Sequence, residues 1–341
     1  MSKQFTAAEF RSTATGLITE CGKLVVGNTD ILDLIVTAMV ADGHVLLQSV
    51  PGLGKTVIGN ALGAALKGGN WGFFPFTADL LPSDVKGSEV YNEKTKEMDI
   101  KLGAIHPEYN IFVADEINRA TPKTVGSLLA VMEERKIVIG DRTLPMADPS
   151  LVIGTQNPIE QEGTYPLPEA MLDRFAVMGR LDYLSDEDEF KLLRKDAIYD
   201  RDPQKAAGIQ PVITPEDVIA MRQFVRTTVT ITDSMVHYLK NLIRATRPGS
   251  EQHTKFMPKK HHKVLQLGAS QRTSKWLMIC SRAAAAMRGS EIVQPEDIQK
   301  MFLPCVGHKL ILSPDVKARQ NVDNIEIEIL KDLIAAVPVA G

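Results

Sequence analysis

The sequence predicts an α/β nucleotide-binding fold followed by an all-helical domain, and three observations carry that prediction. Short apolar runs rich in β-forming residues alternate with segments of helical period through the first half of the chain. A Gly-rich turn, Gln48 to Thr56, follows one of these runs directly and opens into a helix. Beyond the acidic run at 186–189 the remaining periodic segments are helical. With 341 residues the chain exceeds one comfortable hydrophobic core, so two domains are expected, 1–182 and 183–341.

In chain order, Phe5 to Leu24 reads as an amphipathic helix and Asp30 to Met39 as a second, capped by Thr29 or Asp30. His44–Leu47 is a short buried strand, and Val57–Leu66 is the helix after the Gly-rich turn. Trp71–Phe76 is an aromatic strand. Pro82 to Ile105 then reads as a short helix broken by an extended, hairpin-like excursion. Tyr109–Ala114 is a strand, and Pro122 sits in the first turn of a helix running to Met132. Lys136–Ile139 and Arg142–Met146 form a hairpin through Gly140-Asp141. Leu151–Asn157 and Ala176–Leu181 are further strands, separated by a short helix over 168–175. The helical part comprises 187–196, 215–227, 233–246, 271–287 and 295–305. Between them, 247–266 reads as a long solvated basic loop, with His261 and His262 adjacent and poorly placed to share one metal.

The chemistry follows from two of these elements. In Pro51-Gly52-Leu53-Gly54-Lys55-Thr56-Val57, the glycines let the backbone curl so that consecutive N–H groups face a polyphosphate at a helix N-terminus. Lys55 would reach the β- and γ-oxygens, and the Thr56 hydroxyl would ligate magnesium. Ser49 stands where the usual pattern opens with Gly. At the carboxyl end of the Tyr109 strand, where open α/β sheets bind ligands, lie Asp115 and Glu116. Asp115 would hold magnesium through water, and Glu116 would polarise the water that attacks the γ-phosphate. Asn157, at the end of the next strand, can orient that water. Val26 and Gly27, in the segment before the second helix, would lie beside the nucleotide base.

The formal charge of −3 gives no global attraction to nucleic acid or anionic lipid. Three cysteines, Cys21, Cys280 and Cys305, have neither metal spacing nor a disulfide framework, which suits a reducing cytoplasm. The absence of an uncharged apolar stretch of about 18 residues argues against membrane insertion. No Asn-Lys-x-Asp motif reads guanine, so ATP is the expected nucleotide.

These motifs carry a family resemblance. Val50–Thr56, Ala114–Ala120, Thr155–Ala170 and Leu172-Asp173-Arg174-Phe175 are similar to the corresponding stretches of MoxR-type AAA+ ATPases, a group related to the magnesium-chelatase and MCM-like motors. The resemblance runs from about Val25 to Val339. It implies a P-loop αβα sandwich with a parallel sheet and a small helical lid. It also implies ATP with Mg2+, Asn157 as sensor 1, Arg174 as a finger acting on a neighbouring subunit, and Arg272 as sensor 2. Gln271 stands where the family usually has Pro. Met171 and Leu172 should hold Arg174 outward; the competing expectation is an ion pair with Asp173 or Glu169. The implied function is a hexameric ring that couples hydrolysis to remodelling, maturation or metal insertion of a protein client, with a von Willebrand factor A-domain partner. A nucleic-acid motor or a nucleotide-gated scaffold with little hydrolysis is the alternative.

Overall fold

Five parallel strands, β1 (Val45–Ser49), β2 (Asn70–Pro75), β5 (Tyr109–Asp115), β8 (Leu151–Gln156) and β9 (Val177–Leu181), form one sheet in the order β2-β5-β8-β1-β9. The structure is a computed structural model describing residues 4–49, 52–157, 165–195, 200, 202–317 and 324–339. Alternate side chains of each strand enter different clusters. Val45, Leu47, Ile111, Val113, Leu151 and Ile153 join α1 (Ala7–Gly22), α2 (Thr29–Val40) and α3 (Lys55–Ala65). Leu46, Phe112, Ala114 and Val152 join α4 (Pro82–Lys86) and α5 (Pro122–Glu134) on the other face. A parallel sheet covered on both faces accounts for its nearly uninterrupted apolar strands.

Two hairpins leave this sandwich, β3 (Ser88–Asn92) with β4 (Glu97–Lys101) and β6 (Lys136–Ile139) with β7 (Arg142–Pro145), as the sequence predicts. A four-residue helix, α6 (Glu169–Leu172), precedes β9. The chain continues through α7 (Asp186–Leu193), α8 (Pro203–Ala206), α9 (Pro215–Thr227), α10 (Asp233–Ala245), α11 (Glu251–Phe256), α12 (Gln271–Arg288), α13 (Pro295–Val306), α14 (Pro314–Lys317) and α15 (Ile325–Ala336). β10 (Leu265–Leu267) and β11 (Ile311–Leu312) pair antiparallel among these helices. Met221 and Phe224 of α9, Leu277 of α12 and Phe302 of α13 belong to the same apolar cluster as α1 and α2.

Charge reinforces that junction. Asp42, in a left-handed turn (φ 61°), meets Arg135 after α5 at 3.1 Å and both Arg222 and Arg226 of α9 at 2.8 Å. Arg222 is buried and also meets Asp148 at 2.9 Å, so three guanidiniums converge on two carboxylates.

The expectations need four corrections. α2 begins at Thr29 and its N-cap is Asn28, with φ 48° and no side-chain cap. Neither Thr29 nor Asp30 caps it, because the left-handed pair Gly27-Asn28 turns the chain into the helix. The 247–266 segment is not a solvated loop: it holds α11, a 3-10 turn over Lys259–His261 and β10. His253 and His261 are buried, because the first meets the Ala245 carbonyl and the second meets Asp332 at 3.0 Å. α7 starts under a Ser185 cap and ends at Leu193; residues 196–199 lie outside the described residues. α15 and the β10–β11 pair were not expected at all.

His44 ties the last turn of α5 to β8 at the base of the sheet. Its Nε2–H donates to the Met132 carbonyl at 3.2 Å, and its Nδ1 accepts from Val152 N–H at 3.0 Å. Burial, with Arg135 adding to it, pushes this imidazole down to about 3 from the ordinary 6.5. Between those two values the unfolded chain holds a proton that the folded chain lacks, so stability falls as pH drops through 6.5 towards 3. Urea unfolding at pH 6.5 and pH 5 should show a loss approaching about 1.4 kcal/mol per pH unit, a component that His44→Gln removes while lowering stability at neutral pH. An unchanged acid slope in the variant would contradict the assignment.

Candidate nucleotide site

The carboxyl ends of β1, β5 and β8 lie side by side. Val50 and Pro51, the first residues of the turn, lie outside the described residues. Gly52 and Gly54 take φ of 87° and 81°, a conformation that L side chains adopt at a cost. Gly54 is the N-cap of α3, so the backbone arrives at the helix with its first amides exposed to the site. Thr56 follows, exposed, in the first turn. Lys55 is buried, with its ammonium 3.2 Å from Asp115 and 3.9 Å from Glu116. Both contacts are ionic and neither is an aligned hydrogen bond.

The two carboxylates are fixed by a residue to which the sequence reading gave no role. Thr155 Oγ–H donates to Asp115 at 2.5 Å, and the same oxygen accepts the Glu116 backbone N–H at 2.9 Å. Glu116 itself has φ 53°, the left-handed region, which non-glycine residues rarely occupy outside functional turns. Its side chain meets Arg119 Nε at 2.6 Å. Asn118 and Asn157 exchange contacts: Asn118 Nδ2 donates to the Asn157 carbonyl at 3.3 Å, and Asn157 N–H donates to Asn118 Oδ1 at 3.4 Å. Asn157 is thereby held at the end of β8, one strand from Glu116. Asn118, Arg119 and Thr155 all sit inside the family-like stretches, but the role of Thr155 is legible only once the β5–β8 register is known.

Beside the phosphate turn lies a cavity of about 340 Å3 lined by Val25, Val26, Leu53, Val57, Tyr183 and Leu192 among others. Val26, Leu53, Gly52, Gly54 and Val57 therefore share one space. Gly27 is its close neighbour: with φ 65°, an added Cβ would come within 2.7 Å of Leu184. An apolar slot next to a phosphate cradle fits a purine base, and the oxygen donors Thr56 and Asp115 beside Lys55 fit a hard divalent cation.

The two predicted arginines lie together and away from this turn. Arg174 Nε is 3.0 Å from Glu133, and Arg272 donates to the other oxygen of the same carboxylate at 2.7 Å. The partner of Arg174 is thus Glu133, not Asp173 or Glu169, because the end of α5 lies beside α6 and Asp173 is engaged elsewhere. Asp173 accepts from Ser270 at 2.8 Å and Thr273 at 3.2 Å, both in the first turn of α12.

The class is defined by this arrangement: a parallel αβα sandwich with a phosphate loop, paired acids at the carboxyl end of β5 and a helical lid is an AAA+ nucleotide-binding protein. Residues 44–177 match the family described as ATPase family associated with various cellular activities, and residues 258–328 match the AAA lid domain. The chain is 32% identical to chaperone MoxR1 of Mycobacterium tuberculosis, covering 95% of this chain and 84% of that one. It is 38% identical to protein YeaC of Bacillus subtilis, over 93% of this chain and 92% of that one, and 28% identical to protein MoxR of Paracoccus denitrificans, over 92% and 91%. The crystal structure of a Cytophaga hutchinsonii protein described as a candidate ATPase superposes with a TM-score of 0.86, at 32% identity, over 98% and 97% of the two chains. The chain belongs to the MoxR family of AAA+ ATPases.

Other charged clusters have structural explanations. His261, Glu328 and Asp332 place three donor atoms within 4.8 Å, but the Lys260 ammonium already bridges the two carboxylates at 2.5 and 2.8 Å. That group fastens α15 to the 3-10 turn. Lys309 is buried and has no hydrogen-bond partner among the described residues. Burial pushes its ammonium down to about 8, opposed by the Asp173 carboxylate.

Because the folded value of Lys309 lies below the ordinary 10.5, its cost to stability is full below pH 8 and fades as pH rises towards 10.5. Lys309→Met should therefore be more stable than the parent at neutral pH, by about 1–3 kcal/mol, with the gap narrowing at pH 10. Urea denaturation at both pH values reads this directly; a variant weaker than its parent at pH 7 would refute it.

Proposed function

We propose that this protein hydrolyses ATP with Mg2+ and, as a ring, uses that hydrolysis to remodel or mature a protein client in the cytoplasm. The observation that carries the reading is the convergence of Lys55 on Asp115 and Glu116, at 3.2 and 3.9 Å, at the mouth of the phosphate turn. The amides of the Gly52–Thr56 turn and Lys55 bind the phosphates, and the apolar cavity at Val26 takes the base, with Gly27 flanking it. Pro51 belongs to this loop by its sequence. Thr56 and Asp115 would hold Mg2+, which would supply charge neutralisation at the phosphates. Glu116 polarises the attacking water, and Asn157 orients it.

Lys55→Ala should abolish nucleotide binding with the fold intact, since the buried ammonium's chief task is phosphate charge. Glu116→Gln should bind ATP normally and turn over at least about 100-fold more slowly, the usual worth of a general base. Calorimetric binding and phosphate-release assays on both variants test the roles; normal turnover by Glu116→Gln would move the base elsewhere.

A carboxylate-anchored pair of guanidiniums on the face away from the loop is useful to hydrolysis only if a neighbour's γ-phosphate comes within reach. Arg174 therefore acts in trans, stabilising charge that develops on the γ-oxygens, and Arg272 beside it is the sensor 2 residue. The ring reading requires a species near six subunits in sedimentation with a non-hydrolysable ATP analogue and magnesium. A von Willebrand factor A-domain protein is the partner we infer from family membership; nucleic-acid stimulation of hydrolysis would favour the motor alternative.

Arg174→Ala should leave ATP binding intact and slow hydrolysis by about 10³-fold or more. Mixing Arg174→Ala subunits, whose loop is intact, with Lys55→Ala subunits, whose finger is intact, should restore activity. Mixed rings that contain both variants and remain inactive would leave Arg174 a structural residue.

A further inference from the structure

We propose that Asp173 is a positioning residue through which the lid of a subunit sets the geometry of that subunit's own finger, Arg174. This rests on the reading of Arg174 as acting in trans. The element that carries the finger cannot fix it alone. α6 spans four residues, none of them fully buried, and its last turn gives way directly to Asp173 and Arg174. The fully buried Phe175 anchors the carboxyl side of Arg174; on its amino side, where α6 is only partly buried, the added restraint comes from the lid.

Asp173 is gripped by the start of α12. One of its oxygens accepts both the Ser270 and Thr273 hydroxyls, at 2.8 and 3.2 Å, and the other lies 3.9 Å from Arg272. Ser270 is the N-cap of this 18-residue helix, its oxygen accepting Thr273 N–H at 3.1 Å, and Thr273 is fully buried. A carboxylate at a helix N-terminus with two hydroxyl donors is held by charge-assisted hydrogen bonds and by the helix dipole. The Arg174–Glu133 pair, with both side chains about one-third exposed or more, is a weaker restraint.

The contacts also close into a circuit. From Asp173 the path runs to Ser270 and Thr273, along α12 to Arg272, across to Glu133, and back to Arg174 Nε. Two of the side-chain links, Asp173 to α12 and Arg272 to Glu133, cross between the sheet-bearing part and the helical part. A rotation of α12 relative to α5 must therefore either drag Asp173 with it or break those hydroxyl contacts. Because Asp173 and Arg174 are adjacent in the chain, displacement of one by an ångström displaces the other. The angle of the lid thereby becomes the angle of the arginine offered to the next subunit. A misplacement of that size at a reacting phosphate is worth about 100-fold in rate.

The mixed-ring assay separates this from a role in folding. Asp173→Ala is added either to the finger-donating Lys55→Ala subunit or to the receiving Arg174→Ala subunit. In the donor it should lower the restored kcat by about 10- to 100-fold with KM for ATP unchanged, and in the receiver it should leave the restored rate within about twofold. A lid-side double variant, Ser270→Ala with Thr273→Val, should reproduce the same asymmetry and serves if Asp173→Ala fails to fold. Equal losses in donor and receiver, or no loss in either, overturn the proposal. If the unsubstituted mixture of Lys55→Ala and Arg174→Ala is itself inactive while both are present in rings, the trans reading of Arg174 falls first.

Discussion

The site depends on the parallel register of β5, β8 and β1. That register pairs Ala114 with Gly154 and Leu47 with Thr155, so the carboxyl ends of the three strands finish at one level. At that level Thr155 can serve Asp115 with its hydroxyl hydrogen and Glu116 with its oxygen, while Lys55 approaches from the turn after β1. A slip by one residue would send every one of these side chains to the opposite face of the sheet. The strands can afford no such slip because both faces are buried, Leu46 and Phe112 against α5, Val45 and Val113 against the first three helices. The geometry of the site is here a by-product of hydrophobic registration.

The phosphate loop, the paired acids and most elements were legible because each is local. A Gly-rich turn between a strand and a helix, or Pro122 in a first turn, declares itself within a few residues. What stayed hidden is what forms at a distance. β10 and β11 are three and two residues long and lie more than forty positions apart. α15 opens with Ile325-Glu326-Ile327-Glu328-Ile329, an alternation that carries no helical period, and it is a helix because Ile329, Leu330 and Leu333 find the core. The basic segment 247–266 has a polar composition but buries His253, Met257 and His261 through contacts with Ala245 and Asp332. Glu133 offered no signal at all: a glutamate at the end of an ordinary helix acquires meaning only when two arginines arrive from elsewhere.

The helical part is more closely joined to the sheet than its composition implies. One apolar cluster runs from β1 through α2 and α9 to α12 and α13, and Asp42 receives arginines from both sides. Removing one guanidinium from that group leaves two to share the acids, whereas removing Asp42 leaves Asp148 as the remaining acid for three guanidiniums, one of them the buried Arg222. The junction tolerates change unequally on its two sides.

Glu116 bears a different kind of asymmetry. Its backbone sits at φ 53°, where a side-chain-bearing residue pays roughly 1 kcal/mol or more and a glycine pays little. Glycine at 116 would relax the turn and discard the carboxylate, so selection for stability alone would drift away from chemistry at this position. With the role proposed for Glu116, a glutamate in a conformation that disfavours it is a trade-off between durability and turnover, confined to one residue. It follows that glutamine, which keeps the same strained backbone and nearly the same shape, isolates the loss of charge, while glycine would mix that loss with a gain in fold stability.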